Sequence, residues 1–112
     1  MDLVELLTVS DHFQLQRIGL VVAPDFSAPP GWKPRSETVT ILTPDGRSQE
    51  AMVRIEVWHA EIRDPSVPAD RRWRLVVSFP EMTKEGVPVG SRIMASQALR
   101  SAMQLSHGGE SG

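Results

Sequence analysis

At 112 residues, with a formal net charge of −2 and 40% hydrophobic residues, the chain is sized for one domain around a single modest core. It contains no cysteine, which excludes disulfides and thiolate chemistry and leaves any metal to histidine and carboxylates. The acidic balance argues against coating of nucleic acid by bulk charge, and the longest apolar run, Ile18 to Ala23, is too short to span a bilayer.

Leu3 to Val9 is apolar and fits either a helical turn or a strand. Phe13, Leu15 and Arg17 alternate with Gln14 and Gln16, and Gly19 to Ala23 continues as an apolar strand in which Gly19 marks a bulge or sharp bend. Pro24, which has no N–H for a ladder, is expected to end that strand. From Pro24 to Ser36 the pattern is that of a loop, carrying Pro29-Pro30-Gly31-Trp32-Lys33-Pro34. Glu37 to Leu42 alternates with Val39 and Ile41 inward, and Pro44-Asp45-Gly46 signals a tight turn. Ala51 to His59 is a long strand with Val53, Ile55 and Val57 on one face and Arg54, Glu56 and Trp58 on the other.

Asp64 to Asp70 reads as a rigid polar connection. Arg72 to Phe79 alternates again, which puts Trp73, Leu75, Val77 and Phe79 inward and Arg72, Arg74 and Ser78 outward. A charged turn from Thr83 leads into Val87 to Ala95, the expected closing strand. Ser96 to Leu105 then fits a short helix capped by Ser96, with Leu99 and Met103 four residues apart. The expectation is an all-β fold: a small closed antiparallel β-barrel over residues 1–105 with a short C-terminal helix, followed by a flexible tail at 106–112. Closure would remove the exposed edges that a small free-standing sheet must otherwise protect.

Two segments resemble the second, β-barrel domain of translational GTPases of the elongation factor Tu type. Leu6 to Leu15 followed by Arg17-Ile18-Gly19-Leu20-Val21-Val22 is similar to its opening strands, where an acidic-aromatic step precedes a glycine turn and a valine-rich strand. Thr83 to Ile93 is similar to the segment in which a charged turn, an apolar residue and a glycine lead into the last strand. The family's paired glycines around an arginine are represented here by Arg17-Ile18-Gly19, with one glycine lost. Lys33 precedes proline and Lys84 precedes glutamate, so no phosphate-binding Gly-rich loop ending in Lys-Ser or Lys-Thr exists and GTP hydrolysis is not expected. The resemblance implies a passive platform for a protein or an RNA.

Three residue groups compete for a site. Arg71, Arg72 and Arg74 crowd around Trp73, and two guanidinium forks on one face could grip phosphate or carboxylate. The alternative pairs them with Glu56 and Glu61 across the sheet. Trp32 with Lys33 and Arg35 could form a stacking tip, or Trp32 could fold back to cap one end of the barrel. His59, Glu61 and Asp64 could ligate a metal or serve a small enzyme, although no second histidine sits at ligand spacing. Ser10-Asp11-His12 holds triad residue types, but strand neighbours point to opposite faces and cannot line up.

The expected function is a non-catalytic, cytoplasmic binding module without cofactor or metal. It would dock a protein or RNA partner, and neither DNA nor membrane, through Trp32, Lys33, Arg71, Arg72 and Arg74. A small acid/base or metal enzyme built on His59 is the alternative.

Overall fold

The computed structural model describes residues 3–59 and 73–103, with the His59 side chain excepted. Among the described residues, seven strands form one wholly antiparallel sheet: β1 (Leu3–Thr8), β2 (Asp11–Leu15), β3 (Gly19–Ser27), β4 (Arg35–Leu42), β5 (Ser48–His59), β6 (Trp73–Phe79) and β7 (Arg92–Ser96). A short helix, α1 (Gln97–Ala102), follows. The spatial order is β1-β7-β4-β5-β6-β3-β2.

The all-β expectation holds, but the barrel is not closed. The sheet curls into an open half-barrel with β1 and β2 as its two edges. The reason is local. Only Val9 and Ser10 separate the edge strands in the chain, and they tie the edges at one corner. There Val9 N–H donates to Ser91 O, Gly90 N–H to Val9 O and Ser10 N–H to Ala23 O. No β1–β2 ladder forms.

The core lies inside the curl. Leu20, Val22, Val39, Ile41, Val53, Ile55, Leu75, Val77, Phe79, Ile93 and Ala95 are buried there, each at an inward position of a period-two strand. Val39, Ile41, Val53 and Ile55 stand where alternation puts them. In β1 the consecutive pair Leu6 and Leu7 is buried because the register with β7 slips between Glu5 and Leu7, a bulge that turns both side chains inward.

Strands β4 and β5 begin two and three residues earlier than expected, at Arg35 and Ser48, and larger differences fall at β3, the following loop and β7. Strand β3 runs past Pro24 to Ser27, because the β3–β6 register breaks between Val22 and Phe26 and the proline sits where no ladder N–H is required. The loop is therefore confined to residues 28–34. The expected closing strand from Val87 begins only at Arg92, and β7 is internal, flanked by β1 and β4. Residues 80–91 instead fold into successive turns (Gly86 N–H to Thr83 O, Val87 N–H to Lys84 O, Ser91 N–H to Pro88 O) that lower Val87 into the core as a plug.

The Pro44-Asp45-Gly46 turn forms as expected, with Gly46 at φ 92° and Thr43 N–H donating to Arg47 O. The Thr43 hydroxyl and the Arg47 guanidinium both donate to Asp45. The Thr43 bond first, then the charge of Arg47, hold its carboxyl below the ordinary carboxylate range.

Helix α1 packs on the curl through Leu99 and Met103, both about 1% exposed, so this stripe is core and not a free docking face. Ser96 is its N-cap, with Oγ accepting from Leu99 N–H at 3.1 Å. Ser96→Ala is expected to cost about 1 kcal/mol, read as a lower urea midpoint at unchanged slope. A midpoint equal to the wild type would show that packing of Leu99 and Met103 alone fixes the helix. No helix among the described residues is long and apolar enough to cross a membrane.

Candidate functional site

The 28–34 loop crosses one mouth of the curl. Trp32 packs against the core, and its Nε1–H donates to Ile55 O at 3.0 Å. This is the fold-back arrangement: the indole closes the end of the core, where aromatic area is scarce. The Arg35 guanidinium lies 5.8 Å from the Trp32 ring centroid and is also bonded to Glu37. Lys33 is exposed on the outer side of the loop.

Trp73 corrects the inward expectation. It shares the parity of Leu75, Val77 and Phe79, yet it is 51% exposed. As the first residue of β6, paired with His59 at the sheet's end, it lies beyond the core that Trp32 already caps. Trp73 and Trp32, with Ala28, Pro29, Pro30 and Val57, line a groove of about 380 Å³. The two tryptophans are 41 positions apart in the chain, and the β5–β6 and β3–β6 pairings, the latter extended by Ala28 N–H donating to Trp73 O, bring them to one mouth.

Arg74 does not pair with Glu56. It reaches back over β3 to Asp25 Oδ1 at 3.2 Å and to Asp25 O and Ser27 Oγ. The β3 bulge, which carries Pro24 within the strand, puts Asp25 within this reach. Glu56 is taken by Arg54 at 3.2 Å. Arg71 and Arg72 lie outside the described residues, as do Glu61 and Asp64. Of the predicted contact residues, the structure thus gathers Trp32, Lys33 and Arg74 toward the end of the sheet where Trp73 emerges.

The other face of the sheet holds a feature the alternation did not reveal. Ser78, expected outward and wet, is only 2% exposed, and its hydroxyl donates to Arg54 O. Val21 and Val76 flank it on the same face at 8% and 6%. They are covered by Phe13, Leu15 and Trp58, which line a shallow apolar groove with Ala23 and Pro24. The available signal is the pair of doubly apolar steps, Val21-Val22 and Val76-Val77, which mark strands with both faces apolar.

Among the described residues no group of three or more His, Asp or Glu side chains is placed to hold a metal ion. Comparison of the chain with protein-family models, with curated proteins and with solved structures gives no match.

Proposed function

We propose that this chain is a non-catalytic binding module that docks a protein partner at the mouth formed by the 28–34 loop and the start of β6. The observation that carries this reading is the exposed Trp73 facing a proline-stiffened loop across an apolar groove. Tryptophan and arginine around an apolar centre are the residues that dominate protein interfaces, and Trp32, already fixed by its bond to Ile55 O, supplies a wall that needs no ordering on binding.

Protein is favoured over RNA because, among the described residues, the arginines near the groove are paired, Arg35 with Glu37 and Arg74 with Asp25. An RNA-tracking surface needs unpaired cations along its path. A descent from the translation-factor second domain, and a cytoplasmic location, belong to the same proposal. They rest on the Leu6–Val22 and Thr83–Ile93 segments and on the absence of a spanning helix among the described residues.

The test pairs Lys33→Glu with Trp73→Ser, both at exposed positions. The double variant is expected to keep the wild-type circular dichroism and melting curve while losing its partner in affinity purification from lysate of its own cells. An identical set of captured proteins would remove this site. A tRNA mobility shift that weakens steeply with salt and disappears in the same variant would replace protein with RNA as the partner.

A further inference from the structure

We propose that the partner segment seated at the Trp32–Trp73 mouth is an extended, proline-rich stretch flanked by acidic residues, its proline rings against the two indoles and a carboxylate at Lys33. This inference rests on the reading of that mouth as a protein-docking site and adds the chemistry of what docks there.

Two grooves meet at the 28–34 loop. They share Pro29, Pro30, Gly31 and Trp32 and diverge from there. One, of about 380 Å³, runs to Val57 and Trp73. The other, of about 440 Å³, runs to Lys33, Arg35 and Ala102 of α1. A chain laid across the loop therefore meets an aromatic half and then a cationic half.

The aromatic half suits proline through the donors it lacks. Pro29, Pro30 and Pro34 carry no N–H. Ala28 N–H goes to Trp73 O, and Trp32 N–H turns back to Pro29 O. The Trp32 indole N–H is held by Ile55 O. The loop wall thus has no row of free amides with which to extend a ladder, and a strand laid against it would leave its carbonyls without donors. A polyproline II segment needs no such row. Its backbone stays solvated, its stiffness is present before binding, and aromatic-lined grooves are the surfaces that recognise it.

Charge selects what flanks the prolines. Near the aromatic half, Arg74 and Asp25 neutralise each other. On the other side, Lys33 and Arg35 stand with a single carboxylate, that of Glu37, which Arg35 engages while lying over the Trp32 ring. Lys33 is exposed and forms no ion pair among the described residues. This end of the mouth is therefore locally cationic in a chain of net charge −2. An acidic residue beyond the prolines meets an attraction there, and a basic one meets repulsion.

The probe is a short synthetic peptide of prolines with glutamates at either end, titrated into the full chain up to about 5 mM, which covers Kd values in the millimolar range. It should shift the indole N–H resonances of Trp32 and Trp73 saturably and leave that of Trp58, on the outer face, in place. Lysines in place of the glutamates should weaken binding roughly threefold or more, the scale of an exposed charge pair. Lys33→Glu should reverse that preference with circular dichroism unchanged. Alanines in place of the prolines should abolish the saturable shift. Unmoved Trp32 and Trp73 signals overturn the proposal, as does equal binding of the alanine peptide or a charge preference indifferent to Lys33→Glu. The peptide comparisons on the wild type decide the matter even if the variant does not fold. Peptides that fail to bind, with a partner still lost on Lys33→Glu and Trp73→Ser together, overturn the proline-acidic chemistry and keep the docking site. A captured set unaltered by that double variant removes both.

Discussion

Gly19→Ala is expected to destabilise the protein by about 3 kcal/mol or more, lowering the melting temperature by roughly 10 °C. Gly19 opens β3 at φ 108°, a backbone region that L side chains rarely adopt. Space is the larger difficulty. A Cβ there would lie 2.5 Å from Phe79 O and 2.7 Å from Pro80 Cα, both backbone atoms of the adjoining strand end, which cannot swing aside as a side chain can. Relief requires the β2–β3 hairpin to move off β6. Gly46→Ala is the control that separates the two causes. Its φ is similar at 92°, but a Cβ would meet nothing within 4 Å, so only the conformational cost of about 1 kcal/mol applies. Urea unfolding of both variants measures the difference, and equal losses would show that crowding against Phe79 and Pro80 contributes nothing.

Phe79→Ala is expected to cost about 4 kcal/mol, within the range for deleting a buried aromatic ring. Phe79 is among the largest fully buried side chains, at 0% exposure, and stands opposite Leu20 across the β3–β6 ladder. Removing it leaves a void in the core under strands held by their ladder hydrogen bonds, which limits how far the site can collapse to fill it. Domains of this size are stable by only about 5–15 kcal/mol, so the variant should unfold at much lower urea with an unchanged slope. A loss below about 2 kcal/mol would mean that the open curl relaxes where a closed barrel could not. Because Gly19 abuts the carbonyl of Phe79, the two substitutions share a neighbourhood and their losses should not add.

The turn glycines and the alternating runs were legible for simple reasons. Val39 and Ile41, or Val53 and Ile55, bury at period two because a strand with one wet face has no other way to arrange apolar side chains. The helix cap was equally local: Ser96 needs only the amide three residues on. The site was legible in part. Trp32 as a cap could be read from the scarcity of aromatic area, but Trp73 could not be placed. Its parity says inward, and its exposure follows from where the core ends. Of the two readings of Arg74, a partner contact or a pair with Glu56, the pair with Glu56 does not form, and its actual partner Asp25 becomes a neighbour only through the β3 bulge. Phe13 and Leu15 sit in an alternating run whose orientation depends on which strand they pair with, and pairing with β3 turns them outward beside Val21.

By itself, then, the sequence determined that this is a β protein with tight glycine turns and a capped helix, because each of these follows from patterns and contacts a few residues long, and its composition alone excluded cysteine chemistry. Tertiary structure decided that the sheet stays open, that β7 lies inside it and that β1 and β2 are its edges. It also set Trp32 and Trp73 at one mouth and Phe13 and Leu15 on an outer face. Those outcomes depend on strand order and on two bulges, at Glu5–Leu7 and Val22–Phe26. A one-residue slip in register exchanges the faces of a strand, and no local pattern in the chain records where such a slip occurs.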